Sequence, residues 1–172
     1  MRAAIEQRKC ISVVATETRP ALQGARLTCF ELKNDGISVT LIADSMVGYA
    51  MQKGLVNKVI VGADRVTKFG HTFNKIGTYQ IAVLAQRHNI PFYVAAPRST
   101  FDFDTNFEDV IIEERSLNEM VMINRKRIAP KGINVLNPAF DMTPPELITA
   151  IITEKGLLLP PFEESIDKFC ES

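Results

Sequence analysis

Apolar residues fall along the chain in short unbroken runs, and stretches with helical spacing separate them. Ile11 to Thr16 (ISVVAT) is rich in β-branched residues and predicts a strand that ends in Glu17-Thr18-Arg19. Leu22, Ala25, Cys29 and Leu32 then recur at spacings of three and four, which predicts a helix with Pro20 at its first position and its close near Asn34-Asp35-Gly36. Val39 to Ala43 (VTLIA) predicts a second strand, and Asp44-Ser45 at its end can cap a helix over Met46 to Lys53 that stops at Gly54. The third run, Val59 to Val61, leads through Gly62 and Ala63 to a carboxylate, Asp64. Asn74-Lys75 then opens an apolar, helix-like segment, Ile76 to Arg87, and Ile90 to Ala96 (IPFYVAA) is a fourth strand with Pro91 at its entrance.

Runs without strict alternation belong to strands buried on both faces. Four of them separated by helices predict an α/β fold of Rossmann-like type: a doubly wound, mainly parallel sheet with helices on both faces. Ligands in such sheets sit outside the carboxyl ends of the strands. Here those ends carry Thr18-Arg19, Asp44-Ser45, Asp64-Arg65 and Arg98-Ser99-Thr100, which are expected to converge on one crevice. Beyond Thr100 the pattern weakens. Val110 to Ile112 predicts a strand, Leu117 to Met122 a short helix, and Arg125-Lys126-Arg127 a solvated loop. Thr143-Pro144-Pro145-Glu146 reads as a helix start, with the helix over Glu146 to Thr153, and Pro160 to Ser172 as a tail that packs outside or frays.

Composition narrows the function classes. The chain has 172 residues, 46% of them hydrophobic and 23% charged, enough for the core of a single domain over residues 1–172. Lys plus Arg equals Asp plus Glu at 20 each, so a broad basic face for nucleic acid is not expected. Cys10, Cys29 and Cys170 lie far apart without CxxC spacing, which argues against a disulfide framework or a structural zinc site, and a reducing cytoplasm is the expected setting. His71 and His88 fall on different elements, so neither a metal nor a cofactor is expected. No apolar run approaches the roughly 18 residues of a membrane span, and Met1-Arg2-Ala3-Ala4 does not lead into a signal-peptide core, so a soluble protein is expected.

Two features carry candidate chemistry. An acid at a strand end facing a helix start, where an amide, an ammonium and free backbone N–H groups arrive together, suggests proton transfer on a phosphorylated substrate. Asp64 is the acid, and burial would raise its pKa while Lys75 works against that. The alternative is an aspartate that caps a turn or pairs with Arg65. Asn74 reads equally as an N-cap or a ligand, and Lys75 as a phosphate contact or a solvated lysine. Arg19 and Asp44 are candidates for supporting roles, and Asp141 for reaching the same crevice. Cys29 falls on an apolar stripe and reads as core.

Five ordered stretches, ETRPALQGARL (Glu17 to Leu27), VGADR (Val61 to Arg65), NKIGTY (Asn74 to Tyr79), IPFYVAAP (Ile90 to Pro97) and NPAFDMTPPELITAIITEKG (Asn137 to Gly156), resemble the 5-methylthioribose-1-phosphate isomerase family of methionine salvage. The wider superfamily includes ribose-1,5-bisphosphate isomerase and the regulatory, non-catalytic subunits of the initiation-factor 2B type, which share the GAD and NKIGT elements. The resemblance implies an aldose–ketose isomerase in which Asp64 is catalytic and Gln23, Asn74 and Lys75 contact the phosphorylated sugar. Gln23 is reached only by the resemblance; on the residues alone it could equally face water. The family also implies a homodimer paired through this domain, and an N-terminal half with phosphate-binding arginines and a catalytic cysteine in a T-C-N-x-G motif. That half does not precede Met1 in this sequence, and Cys10 lacks its context, so the chain resembles the C-terminal domain alone, cut from or encoded apart from its partner half and expected to be inactive without it. His71 stands where the family usually has an acid, so the loop near the site is expected to differ. A nucleotide-binding domain ranks below both readings, since no GxGxxG or GxxxxGK[ST] follows any strand.

Overall fold

The structure is a computed structural model that describes residues 1–171, and the chain divides into two compact units, Met1–Val56 and Asn57–Ser172. The first unit runs α1 (Arg2–Glu6), β1 (Ser12–Thr16), one π-helical turn (Gly24–Thr28), α2 (Cys29–Asn34), β2 (Ser38–Ile42) and α3 (Val47–Gln52). β1 and β2 pair in parallel, Ser12 opposite Ser38 and Thr16 opposite Ile42. Leu32, Ile37, Val47, Ala50 and Met51 are buried in this unit; of the stripe read from the sequence Leu32 is buried, while Leu22, Ala25 and Cys29 are half-buried. Pro20 is not the first helical residue. The chain first turns, with the Leu22 N–H donating to the Thr18 carbonyl at 2.7 Å, and the helical path begins only at Gly24. Glycine is required there: a Cβ would lie 1.8 Å from the Thr16 carbonyl oxygen, so the helix start rests directly on the end of β1.

The second unit runs β3 (Val59–Val61), β4 (Arg65–Thr67), β5 (Thr72–Lys75), α4 (Thr78–Arg87), β6 (Phe92–Ala95), β7 (Phe101–Asp102), α5 (Leu117–Val121), β8 (Met122–Ile123), β9 (Lys126–Arg127), β10 (Phe140–Thr143), β11 (Ala150–Thr153), β12 (Gly156–Leu158) and α6 (Phe162–Glu171). One sheet has the order β12-β11-β6-β3, in which β3, β6 and β11 are parallel and β12 is an antiparallel edge. Phe92, Val94 and Ile151 are essentially inaccessible in it, and burial of side chains of this size stabilises by roughly 1.5–3 kcal/mol each. The mixed α/β class with mainly parallel strands is the one expected. A second sheet, β10-β5-β4-β7, is antiparallel apart from the β4–β7 pair.

Several segments depart from expectation. The helix expected over Glu146 to Thr153 is a 3-10 turn, Pro145–Leu147, followed by β11. The Thr-Pro-Pro-Glu start signal is real but short-lived, because Ala150-Ile151-Ile152-Thr153 is a β-branched run that fills the slot beside β6. Val110 to Ile112 forms no strand, and its side chains wall a cavity instead. Asn74-Lys75 ends a strand rather than opening a helix. Arg125 lies in the turn of the β8–β9 hairpin, where Asn124 and Arg125 both have positive φ. The tail is helical from Phe162 and buries Phe162, Ile166 and Phe169.

Candidate active site

Asp64 stands at the point where the chain leaves β3 and crosses to β4, and its N–H donates to the Phe73 carbonyl at 2.9 Å. Pairing of β4 with β5 sets Arg65 opposite Phe73, and pairing of β5 with β10 sets Asn74 opposite Asp141 and Lys75 opposite Phe140. Three strands thus bring together an acid, an ammonium and an aromatic ring that lie far apart in sequence. The acid and the ring meet at an open cavity of about 240 Å³ lined by Asp64 and Arg65, with Phe73, Phe140 and the segment Val110 to Ile112 as its apolar wall; Lys75 is not among the lining residues. That volume is at the small end for a small-molecule site.

Asp64 is open to solvent on one side and backs on the apolar wall on the other. Burial on that side raises its pKa above the ordinary aspartate value of 3.8, and the Lys75 ammonium pulls the other way. The Lys75 Nζ also sits 5.5 Å from the centre of the Phe140 ring, which holds the cation at the cavity edge. An acid that keeps its proton closer to neutrality, beside a fixed positive charge, is suited to giving a proton to a substrate oxygen while the ammonium faces an anionic group.

Asn74 does not cap α4, whose N-cap is Gly77, and its side chain supports the turn before the helix. Its Nδ2 donates to Thr78 Oγ1 at 2.9 Å, and that hydroxyl donates to the Lys75 carbonyl at 2.7 Å, so the amide braces the turn into α4. The start of α4 is not a vacant anion site either. The Gly77 N–H donates to Asp141 Oδ2 at 2.7 Å and the Tyr79 N–H to Asp141 Oδ1 at 3.1 Å. Gly77, at φ +100°, supplies the left-handed turn that aims its N–H at the carboxylate. Burial pushes the Asp141 carboxyl up, and the Gly77 and Tyr79 N–H groups counter it. Thus Asp141 anchors the segment that carries Lys75.

Gln23 belongs to the first unit and is exposed, immediately before the π-helical turn. Its loop is tied down by Asp44, whose Oδ1 accepts from the Thr18 N–H at 2.8 Å and whose Oδ2 accepts from the Arg19 N–H at 2.7 Å. Arg98, at the end of β6, does not line the cavity; its guanidinium donates to the Phe169 and Cys170 carbonyls and so fastens the end of α6. His71 stacks on Phe107 with ring centres 4.0 Å apart, and its buried Nδ1 has no partner among the described residues. Burial lowers its pKa, with Glu146 opposing. Among the described residues no group of three His, Cys, Asp or Glu side chains could hold a metal ion, and no helix is long and apolar enough to cross a membrane. An apolar surface burying Asp64 is expected from the sequence, but the residues that form it, Phe73, Phe140 and Val110 to Ile112, are not.

The fold places the chain in the class of mixed α/β domains with mainly parallel strands. Within that class the chain belongs to the Initiation factor 2 subunit family, whose model matches residues 1–160. It is similar to proteins named methylthioribose-1-phosphate isomerase: 58% identical over 172 residues to that of Thermotoga maritima and 59% identical over 172 residues to that of Thermosipho africanus. In both cases 99% of this chain and 50% of the relative are covered, so the chain spans about half the length of the curated relatives it matches. Among solved structures, 5-methylthioribose 1-phosphate isomerase from Pyrococcus horikoshii superposes with a TM-score of 0.94 at 45% identity, covering 98% of this chain and 48% of that one. A structure named translation initiation factor eIF-2B, subunit delta, from A. fulgidus superposes with a TM-score of 0.96 at 56% identity, covering 99% and 50%.

Proposed function

We propose that the chain is the C-terminal, Rossmann-like half of an aldose–ketose isomerase that converts 5-methylthioribose 1-phosphate to 5-methylthioribulose 1-phosphate in methionine salvage. The observation that carries this reading is Asp64 lining an apolar-walled cavity with the Lys75 charge acting on it, in a chain 58% identical to a protein named for that reaction. In the proposed reaction the Asp64 carboxyl gives its proton to the ring oxygen as the bond from that oxygen to C1 breaks. Hydrogen then passes from C2 to C1, and the proton leaving the C2 hydroxyl balances the one supplied. The raised pKa keeps a larger fraction of Asp64 protonated near neutral pH than an ordinary aspartate has. Lys75 lies beside the phosphate as a point charge. Asn74, which also fixes the Lys75 turn, and Gln23 carry over from the family as contacts with the phosphorylated sugar. An N-terminal half of the family's kind supplies the cysteine and the phosphate-binding arginines, and the chain pairs as a cytoplasmic homodimer.

A second reading, a non-catalytic regulatory subunit of the initiation-factor type, draws on the likeness to the A. fulgidus protein named as an initiation-factor subunit. The two are separated by mixing this chain with an N-terminal half bearing the T-C-N-x-G motif and assaying 5-methylthioribose 1-phosphate. Turnover by the mixture, and by neither part alone, is expected. A mixture that assembles yet neither binds nor converts the sugar phosphate would leave the regulatory reading in possession.

A further inference from the structure

Asp64 and Arg65 are neighbours in sequence and both line the cavity, yet they are not paired. Arg65 Nη1 instead donates to Asp102 Oδ2 at 2.9 Å. Asp102 lies on β7, next to β4, and is itself fixed: its Oδ1 accepts from the Thr105 N–H at 3.0 Å and the Asp104 N–H at 3.1 Å. Hydrogen bonds from Thr105 and Asp104, with the Arg65 charge, hold the Asp102 carboxyl below the usual range, so it stays ionised at neutral pH. The surroundings of Asp64 are otherwise sparse in charge. Lys75 faces it from β5 and the cavity wall is apolar. On β10, Asp141 is occupied by the Gly77 and Tyr79 N–H groups. Further along the wall segment, Glu114 accepts from the Asn137 N–H at 3.1 Å.

We propose that Asp102 is a positioning residue for Asp64: by holding Arg65 it turns that guanidinium away from the adjacent carboxylate and leaves Asp64 with Lys75 as its cationic neighbour in place of two cations. The role rests on the reading of Asp64 as the proton donor. A guanidinium brought within about 4–6 Å of a carboxylate lowers its pKa by roughly 1–3 units. At neutral pH that would cut the protonated fraction of Asp64 about tenfold or more. The ion pair therefore acts by keeping a charge elsewhere, and the strength of the pair itself, partly exposed at both ends, matters little.

The test is a site-resolved titration of the Asp64 carboxyl by carbon-13 NMR in this chain, with no use of turnover. Asp102→Asn releases Arg65 and is expected to move the Asp64 midpoint down by about one pH unit. Arg65→Gln alone is expected to leave the midpoint where it is, and the double variant to restore it. An unmoved midpoint in folded Asp102→Asn overturns the proposal. So does a rise in Arg65→Gln, which would mean that the guanidinium already acts on Asp64; that arm decides the matter even where Asp102→Asn does not fold. Failure of the isomerase reading would appear separately, as an inactive reconstituted enzyme whose Asp64 nevertheless titrates as described.

Discussion

The turn that carries Gln23 and the turn that leads from Lys75 into α4 are built alike. In each, a carboxylate distant in sequence takes two backbone N–H groups: Asp44 those of Thr18 and Arg19, Asp141 those of Gly77 and Tyr79. Asp64 has the same residue type at a comparable strand end but lacks such donors, and among the described residues it makes no ion pair. Burial pushes both Asp64 and Asp141 up; what separates them is the pair of N–H groups that Asp141 has and Asp64 does not. A strand-end aspartate supplied with donors is a fastener, and one left without them is available to exchange a proton.

The largest expected effect tests that distinction directly. In the reconstituted enzyme, Asp64→Asn should lower kcat by about 10²–10⁴-fold, the usual contribution of a positioned acid, with an unchanged circular dichroism spectrum. Retained turnover would remove Asp64 from the chemistry. Next come the fasteners. Asp44→Ala and Asp141→Ala each strand two N–H groups, so each should destabilise the chain by about 2–3 kcal/mol in urea unfolding. A loss under about 0.5 kcal/mol, the range of ordinary surface substitutions, would show that water replaces the carboxylate without cost.

The same distinction explains what the sequence disclosed. The parallel strands were legible because unbroken apolar runs such as Val59 to Val61 and Phe92 to Ala95 need no partner information to be recognised, although Ile60 in the first is exposed and Phe92 and Val94 in the second are buried. Asp64 and Lys75 were legible as types of residue at telling places. For Asn74 the N-cap alternative is not the one formed, because an amide before an apolar helical stretch looks the same whether it accepts from a helix N–H or, as here, donates to Thr78. The β4–β5 hairpin, with Gly70 at φ +86° in its turn, left a readable mark that lay hidden inside a stretch that reads as loop. The roles of Asp141 and Asp102 depend on strand pairing across dozens of residues, and no local spacing encodes that.

His71 sharpens the comparison from the basic side, as a buried polar group with no partner at its Nδ1 among the described residues. Its folded-state pKa is lowered, so the folded chain binds fewer protons than the unfolded one below the ordinary value of 6.5. The stability it allows is complete above that value and is lost as pH falls through it. The urea midpoint should therefore drop between about pH 7 and 5.5. His71→Phe, which keeps a ring against Phe107, should flatten that part of the profile. An equal drop in both proteins would assign the pH dependence to other groups.

The smallest effect is the most diagnostic, because Asp64 and Asp141 share a raised carboxyl pKa and differ only in whether an amide would leave backbone N–H groups short of an acceptor. Burial on its apolar side raises the Asp64 pKa above 3.8, so the folded chain holds the proton more tightly than the unfolded one. Stability then falls as pH rises from the ordinary value through the raised one, and the ionised carboxylate remains a small burden at neutral pH. Asp64→Asn removes the charge and keeps the shape. Its melting temperature should match that of the parent chain at about pH 3, where both side chains are neutral, and exceed it slightly at pH 7. Asp141→Asn, by contrast, should melt lower than the parent at pH 7, since a neutral amide offers one oxygen to two N–H groups. Should Asp64→Asn also melt lower at pH 7, Asp64 would be a third fastener, and the separation between holding a turn and offering a proton would collapse.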